Sequence, residues 1–362
     1  MDNSTIFQER ITAVRQKLAE WKVDGVLIAS PTNRRWLSGF TGSNGQLLVT
    51  ADKALIATDF RYFTQATREA PDFTLFKHQR TLAETRQFLA EAGVQRVGVE
   101  AKYTTLDQME ELKQVENITW VRLPQTVEPL RMIKTAVEIE TIQKACAIVD
   151  DVMARVPEIA QVGLTEYEVA WELEKALRQA GAEALAFDII VSTGPNSPLP
   201  HHHPGSRRLQ AGDALIVDMG AQVAGYKSDL TRSFYLGQKA SVRYFEIYQL
   251  VLRAQTAVFE QAKPGMNLKE VDAIARGVFE RAGHGEHFGH GLGHGLGLDI
   301  HEDPFFSPRA SEDDTVEVGM VVTIEPGCYL PEGIGIRLEE TALMTENGLV
   351  PLTHCPKEPN IL

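Results

Sequence analysis

Two apolar segments in the second half of the chain each end in a carboxylate followed by glycine. In GDALIVDMG the acid is Asp218, and in GMVVTIEPG it is Glu325. Strands this apolar are typical of buried positions, where an ionised carboxylate is costly unless it is paired or bound to a cation. A second acid follows each strand in a strand-like segment, Asp229 in YKSDLTRSF and Glu339 in GIRLEET. A fold that buries these segments must also bring cations to them.

Similar helix patterns precede both segments, which indicates an internal repeat. Each predicted helix has a capping residue, an acid three positions later and a glycine at its end. These residues are Thr165, Glu168 and Gly181 in the first copy and Asn267, Glu270 and Gly283 in the second. Capped helices are common enough for coincidence, but the strand, acid and glycine that also match favour a duplication. Two related halves would then face each other, and each would supply a pair of carboxylates.

Three histidines in the glycine-rich segment FGHGLGHGLGLDIHE extend the set of candidate ligands: His290, His294 and His301. So many glycines disfavour a helix and indicate an extended or looped segment with its backbone close to a ligand. The glycines fit no phosphate-loop register. In PHHHPG, His201, His202 and His203 form either a metal-binding surface turn or a set with one catalytic member.

Four carboxylates and one imidazole form a hard, oxygen-rich ligand set. Such a set favours Mn²⁺, Co²⁺, Zn²⁺ or Fe²⁺ over copper, and the histidine disfavours calcium. Four carboxylates are too many for one catalytic zinc, so we predict two divalent ions that share bridging carboxylates and a hydroxide. The predicted metal ligands are Asp218, Asp229, His294, Glu325 and Glu339. Such a centre would catalyse metal-assisted hydrolysis of a carbonyl compound, most simply an amide.

The length, charge and cysteine content of the chain restrict its domain number, its partners and its cellular location. A chain of 362 residues predicts two domains. The formal net charge of −13 disfavours nucleic acid as a partner. Three scattered cysteines fit neither a disulfide framework nor a cysteine-rich zinc site, and they indicate a reducing compartment. Because no signal-like N-terminus and no membrane-length apolar run is visible, we expect a cytoplasmic protein without a membrane partner.

The first third of the chain alternates helix and strand patterns, which predicts an α/β domain. Residues 7–20 predict a helix, GVLIAS and VQRVGVE predict strands, and LLVTADKALIATD predicts a hairpin. The proline-containing LPQTVEPLR has little periodicity and precedes a long helix predicted at about 135–155. We therefore expect domains at 1–126 and 127–362.

The motifs of the chain resemble those of the pita-bread metallopeptidases, which include aminopeptidase P, prolidase and, more distantly, methionine aminopeptidase. The motifs in the family's order and spacing are PHHHPG, DALIVDMGA, GYKSDLTRSF, GHGLGHGLGLDIHE, TIEPG and IRLEET. NRRWLSGFTGSNG and TDFRY resemble the creatinase-like N-terminal domain of the family. The resemblance implies an α+β fold, in which a creatinase-like α/β domain precedes a pita-bread catalytic domain of duplicated αβ halves. It also implies a homodimer.

The resemblance implies a role for each predicted site residue. Asp218 would hold one ion, and His294 and Glu325 would hold the other. Asp229 and Glu339 would bridge the two ions. Glu325 would also help to activate the bridging water. The other catalytic residues would be histidines that contact the substrate or the intermediate: His201, His290 and His301. Arg337 would hold ligand carboxylates in place.

The resemblance implies a proline-containing peptide as the substrate, and among the suitable metals we expect Mn²⁺, with Co²⁺ or Zn²⁺ as alternatives. The N-terminal motifs are closer to short bacterial aminopeptidase P, so we predict an Xaa-Pro aminopeptidase, with an Xaa-Pro dipeptidase as the alternative. A dipeptidase needs a cation for the free carboxylate of its substrate. Arg309 is a candidate, although a solvated loop arginine is the more ordinary interpretation. A metal-free creatinase-like hydrolase or a non-catalytic module is disfavoured because all five ligands are present.

Overall fold

The computed structural model describes residues 3–79, 81–237, 239–358 and 360–361. The chain divides into two compact units, the first ending at Arg131 and the second beginning at Met132. The domain boundary between residues 126 and 127 stays a prediction. Among the described residues, no helix has both the length and the apolar character needed to cross a membrane.

The first unit is built on a sheet of six strands within the described residues. The strands are β1 (Gly25–Ile28), β2 (Gln46–Thr50), β3 (Ala54–Thr58), β4 (Thr74–Lys77), β5 (Arg96–Glu100) and β6 (Thr119–Leu123). Their order is β4-β3-β2-β1-β5-β6, and the pairs are parallel except those that β2 makes with β1 and β3. The antiparallel β2–β3 pair confirms the predicted hairpin.

Helices of the first unit alternate with these strands, as the sequence predicts. They are α1 (Asn3–Trp21), α2 (Pro31–Ser38), α3 (Phe63–Glu69), α4 (Leu82–Ala92), α5 (Leu106–Lys113) and α6 (Glu128–Arg131). The strand predicted in GVLIAS ends at Ile28, because Ser30 caps α2 and accepts a hydrogen bond from the Asn33 amide at 3.4 Å. Apolar side chains of β1 and β2 pack against α4 to form the core, as with Leu27, Leu48 and Phe88.

The second unit contains five α-helices among the described residues, and two of them test the predicted capping pattern. The helices are α7 (Ala136–Met153), α8 (Val156–Ile159), α9 (Glu166–Gln179), α10 (Val242–Gln261) and α11 (Leu268–Arg281). At α9 the Glu168 carboxylate accepts from the Thr165 amide at 2.7 Å, and at α11 the Glu270 carboxylate accepts from the Asn267 amide at 3.2 Å. Both predicted capping boxes are therefore confirmed.

The strands of the second unit form two larger sheets and two small ones within the described residues. They are β7 (Ala184–Leu185), β8 (Ile190–Thr193), β9 (Ala214–Met219), β10 (Ala221–Val223), β11 (Tyr226–Lys227), β12 (Leu230–Tyr235), β13 (Gly293–Gly295), β14 (Glu302–Phe306), β15 (Val321–Ile324), β16 (Gly327–Leu330), β17 (Ile334–Arg337), β18 (Glu340–Thr345), β19 (Gly348–Pro351) and β20 (Asn360–Ile361). The larger sheets have the orders β20-β12-β9-β8 and β14-β13-β15-β18-β19.

The two acid-bearing strands occupy corresponding places in the larger sheets. β9 pairs with β12 and β15 pairs with β18, both antiparallel. Hydrogen bonds join the two halves at the ends of these pairs, since the Glu339 amide donates to the Thr231 carbonyl at 3.1 Å and the Arg337 amide to the Ser233 hydroxyl at 3.0 Å. The predicted α+β fold of two αβ halves is thereby confirmed.

Candidate metal centre

The five predicted ligands lie at the ends of the paired strands and on the short β13. Asp218 is the next-to-last residue of β9, Glu325 directly follows β15, and His294 is the middle residue of β13. Asp229 and Glu339 were predicted in strand-like segments, but each lies just before a strand, β12 and β18. The reason at Asp229 is that its amide donates to a side chain, the Thr341 hydroxyl at 3.2 Å, and not to a neighbouring strand.

These residues meet in one buried cluster. Ligand atoms of Asp229, His294 and Glu339 all lie within 4.8 Å of one another. His294 Nε2 is 3.4 Å from Glu325 Oε1 and 3.7 Å from Asp229 Oδ2. Asp218 lines the same cavity, although it is not one of the three that are closest together. The structure therefore brings all five predicted ligands to one place.

The cluster opens into a cavity of about 570 Å³ that could hold a small peptide. Its apolar wall is formed by Phe187, Ile190, Pro200, Ile300, Phe305 and Phe306. The three histidines of PHHHPG and the other two histidines of the glycine-rich segment also line it. The cavity thus combines the charged and polar side chains of the cluster with an apolar wall.

Two glycines of the GHGLGHG segment allow neighbouring strands to approach closely. A Cβ atom at Gly293 would lie 2.0 Å from the Thr323 carbonyl oxygen, and one at Gly295 would lie 2.5 Å from that of Asp303. These contacts require glycine at both positions, and the expected approach of the backbone to a ligand stays a prediction. The requirement is the close approach of β13 to β15 and β14, although Gly293 also lines the cavity.

The buried carboxylates repel one another strongly. Burial, followed by the charges of Glu339, Asp218 and Glu325, raises the pKa of Asp229 well above its ordinary value. The pKa of Glu339 is raised in the same way, first by burial. Burial also raises the pKa of Glu325 to about 7, against the opposing charge of Arg337. Without further cations the cluster would hold protons that free carboxyl groups release well below neutral pH.

Two buried oxygen atoms of the cluster have no hydrogen-bond partner among the described residues: Asp218 Oδ1 and Asp229 Oδ1. Unpaired buried carboxylate oxygens are rare and costly. The donor set of oxygens and one imidazole nitrogen fits divalent cations, which would satisfy these atoms and offset the repulsion.

His294 presents one nitrogen to this cluster in the form that a metal needs. Its Nδ1 lies 3.1 Å from the Gly295 carbonyl oxygen, which can only accept, so Nδ1 carries the proton. Burial lowers the pKa of His294 to about 4, and the ring is therefore neutral near neutral pH. Its Nε2 lone pair is left for the carboxylate cluster, which suits a metal ligand.

His290 is neutral for the same reason, but its Nε2 is engaged. Burial lowers its pKa to about 4, and Nδ1 donates to the Gly291 carbonyl at 2.7 Å. Nε2 then accepts a hydrogen bond from the Tyr329 hydroxyl at 2.9 Å. The predicted contact of His290 with substrate stays a prediction, since this nitrogen has a protein partner.

The remaining predicted residues divide between the cavity and the solvent. His201 and His301 line the cavity and are exposed to solvent, and the His301 ring contacts that of His294 edge-on at 4.4 Å between centroids. His202 lines the cavity but is bound to Glu166. Arg309 is exposed and is not among the residues that line this cavity, and its role with the substrate carboxylate stays a prediction.

The sequence did not indicate Thr231, which connects Glu339 to Arg337, or Tyr329, which connects His290 to Arg337. The Thr231 hydroxyl accepts from Arg337 Nε at 3.1 Å and donates to Glu339 Oε2 at 2.6 Å. The Tyr329 hydroxyl accepts from Arg337 Nη1 at 3.2 Å. The only signal in the sequence is that each lies near a predicted motif. Thr231 follows Asp229 by two positions, and Tyr329 follows the glycine of TIEPG by two positions.

Comparison with known proteins decides the family. The model of metallopeptidase family M24 matches residues 140–346, and that of the creatinase/prolidase N-terminal domain matches residues 10–133. The chain belongs to metallopeptidase family M24. It is a metallo-exopeptidase that acts on peptides, and the predicted family and fold are confirmed.

Several relatives and solved structures match nearly the whole chain. The Xaa-Pro dipeptidase of Pyrococcus furiosus is 37% identical over 359 residues, with 97% of this chain and 99% of that protein covered. The structure of an Xaa-Pro dipeptidase from Bacillus anthracis matches with a TM-score of 0.96 at 36% identity, covering 98% and 100% of the two chains. An X-Pro aminopeptidase from Thermotoga maritima MSB8 matches with a TM-score of 0.88 at 31% identity, covering 96% and 100%.

Proposed function

We propose that this M24 metallopeptidase is an Xaa-Pro dipeptidase, which hydrolyses the bond in front of proline in a dipeptide. The observation that carries the proposal is the buried cluster of carboxylates around the neutral His294, beneath a cavity of peptide size. The relatives named above support the dipeptidase, the alternative predicted from the sequence, over the aminopeptidase. An Xaa-Pro aminopeptidase is the second candidate because of the Thermotoga neighbour.

We infer that two divalent ions bind here, with Mn²⁺ first and Co²⁺ or Zn²⁺ as alternatives. Asp229 and Glu339 would bridge the ions, and Asp218, Glu325 and His294 would complete their coordination. When bound, such ions polarise a carbonyl and supply a hydroxide at neutral pH. Glu325 lines the cavity, where it would take a proton from the attacking water.

The other polar groups of the cavity would act on the substrate and its protons. Arg337 holds Asp218 and, through Thr231, Glu339. His201 and His301 reach the solvent-accessible part of the cavity, where they can donate a hydrogen bond to the intermediate or a proton to the leaving proline nitrogen. Proline lacks the N–H that general peptidases bind, so the apolar wall would recognise its ring. The homodimer and the cytoplasmic location stay predictions.

A small substrate panel tests the proposal. The Mn²⁺-loaded chain should hydrolyse Xaa-Pro fastest. Xaa-Pro-Xaa should be slower by about 100-fold or more because its proline has no free carboxylate, and Xaa-Ala should be slower because it lacks the ring that the apolar wall would bind. Tripeptide turnover equal to or above dipeptide turnover would establish the aminopeptidase instead. Activity that survives thorough chelation would contradict the metal centre.

A further inference from the structure

Glu166, the first residue of α9, has a completely buried carboxylate. The described residues give it five hydrogen bonds. Oε1 accepts from the Thr193 amide at 2.9 Å, the Thr193 hydroxyl at 3.0 Å and Asn196 Nδ2 at 2.9 Å. Oε2 accepts from His202 Nε2 at 2.7 Å and the Gly205 amide at 3.2 Å. Burial acts to raise the pKa of Glu166, but hydrogen bonds from Asn196 and His202 bring it below its ordinary value, so the group is ionised.

All side-chain partners of this carboxylate lie in residues 193–205, which we call the histidine segment. The bonds reach both ends of the segment, from Thr193 to Gly205. Between these ends lie Pro200 and His201–His203, which line the catalytic cavity. A buried charge is retained at this cost only where several donors surround it. Glu166 therefore ties an otherwise irregular loop to the rigid start of a helix.

His202 is the link between this anchor and the cavity. A carboxylate can only accept, so the His202 Nε2 atom carries the proton and donates it to Glu166. The side chain of His202 is only 16% exposed. Its neighbours His201 and His203 are both exposed in the cavity. Fixing the middle ring fixes the backbone from which the two outer histidines extend.

Two residues of β17 hold the opposite side of the histidine segment. Arg337 Nη1 donates to the Pro200 carbonyl at 3.2 Å, one residue before His201. The Gly335 amide donates to the Ser197 hydroxyl at 2.8 Å. The segment is thus fixed between α9 on one side and β17 on the other. On the α9 side Glu166 supplies the negative charge, and Arg207 Nη1 donates to the Thr193 hydroxyl at 3.0 Å.

We propose that Glu166 is a positioning residue for peptide hydrolysis, which acts through His202 to hold His201 at the metal centre. The proposal rests on the proposed function only in needing a peptide that the chain cleaves. The Glu166 carboxylate contacts the histidine segment and none of the five predicted ligands, so its loss should impair turnover while leaving metal binding intact.

The test compares four variants with a matched control. Glu166→Gln keeps the size of the side chain but turns Oε2 into an amide, which faces the Gly205 N–H with a second donor. His202→Ala removes the link, and His202→Gln restores a donor in a similar place. The double variant Glu166→Gln/His202→Ala measures coupling. Glu172→Gln is the control, because Glu172 is half-exposed on the same helix and pairs only with Lys175 at the surface.

Steady-state kinetics and a calorimetric Mn²⁺ titration are measured on each chain. We expect Glu166→Gln and His202→Ala each to lower kcat by about 10- to 100-fold, with KM and Mn²⁺ affinity within about threefold of the unaltered chain. The double variant should be no slower than the slower single variant. His202→Gln should recover part of the loss, and Glu172→Gln should match the unaltered chain.

Three results would overturn the proposal: unchanged kcat in Glu166→Gln, a parallel loss of Mn²⁺ affinity, or losses that multiply in the double variant. Multiplying losses would mean that the two residues act independently. Rates are compared on whichever peptide the unaltered chain cleaves fastest. A preference for a peptide without proline would therefore contradict the proposed function while leaving the comparison of variants valid.

Discussion

Arg337 Nη2 donates a hydrogen bond of 2.6 Å to Asp218 Oδ2, and both side chains are buried. The same guanidinium reaches the Thr231 hydroxyl at 3.1 Å and the Tyr329 hydroxyl at 3.2 Å. It is therefore the protein's own cation in a cluster of four carboxylates. One arginine cannot neutralise four acids, so the remaining charge adds to burial in raising the pKa values of Asp229 and Glu339.

Replacing Arg337 should destabilise the metal-free chain more than the Mn²⁺-loaded chain. Arg337→Gln leaves buried carboxylates without a protein cation, which costs about 3–5 kcal/mol. Bound ions would offset part of this loss. Urea unfolding with Mn²⁺ and with a chelator measures both values. Arg337→Lys should recover only part of the lost free energy of unfolding, because a point charge cannot reproduce the several contacts of the guanidinium.

The matched control for this experiment is Arg243→Gln, since Arg243 is about half-exposed and pairs with Glu246 at 3.6 Å on the surface. We expect it to change the free energy of unfolding by less than about 0.5 kcal/mol. Equal losses for Arg337→Gln with and without metal would show that Arg337 does not balance the cluster.

The metal-free chain should lose stability as the pH rises through neutrality. The pKa of Glu325 is raised from 4.5 to about 7, so its contribution is complete below 4.5 and is lost as the pH rises through about 7. His290 and His294 act in the opposite direction, because burial lowers their pKa from 6.5 to about 4. Their contribution is complete above 6.5 and is lost only as the pH falls towards 4.

Between pH 6.5 and about 8 the two histidines of the unfolded chain still release protons, which offsets part of the loss, so comparison with Glu325→Gln isolates the contribution of Glu325. There we expect the free energy of unfolding of the chelated chain to fall by about 1 kcal/mol through Glu325 alone. Asp229 and Glu339 should add to the fall, while the Mn²⁺-loaded chain should not show it. Urea unfolding at intervals across this range makes the measurement. Glu325→Gln should reduce the slope, and an unchanged slope in that variant would rule out Glu325 as its source.

Asp229→Asn should separate stability from activity. The amide has the same size but no charge, so it relieves repulsion from Glu339, Asp218 and Glu325. We expect the metal-free variant to be more stable by about 1 kcal/mol or more, while peptidase activity falls by about 1,000-fold. Thermal unfolding and dipeptide hydrolysis give the two values. The exposed Asp313 provides the control Asp313→Asn, and a less stable metal-free Asp229→Asn would contradict the argument.

The sequence predicts the residues that meet in the buried cluster because the signal for each is local. An acid at the end of an apolar strand, as at Asp218 and Glu325, is costly wherever the strand is buried. The capping boxes of α9 and α11 are predictable for the same reason, since the cap and its partner are three residues apart. Local patterns thus determine the elements and also which of their residues meet in the cluster.

Partners that are distant in the sequence cannot be predicted in this way. Glu166 and His202 are separated by 36 positions, and Arg337 and Asp218 by 119. None of these four side chains has a neighbour in the sequence that indicates its partner, because the contacts form only after the sheets and helices have packed. The crowding at Gly293 has the same origin, since it depends on where the Thr323 carbonyl lies.

Arg276 on α11 should position His290 as Glu166 is proposed to position His201. It binds Asp272 through Nε at 2.8 Å and Nη2 at 3.0 Å, and it donates to the carbonyls of Phe288 and His290, both at 2.9 Å. Asp272 also accepts from the Leu292 amide at 3.0 Å. Arg276→Lys keeps the charge but cannot make these contacts together, so kcat/KM should fall by about tenfold or more. Arg281→Lys, at an exposed position of the same helix, is the control and should leave dipeptide hydrolysis unchanged. Equal activity of the two variants would show that the guanidinium geometry of Arg276 is not needed for turnover.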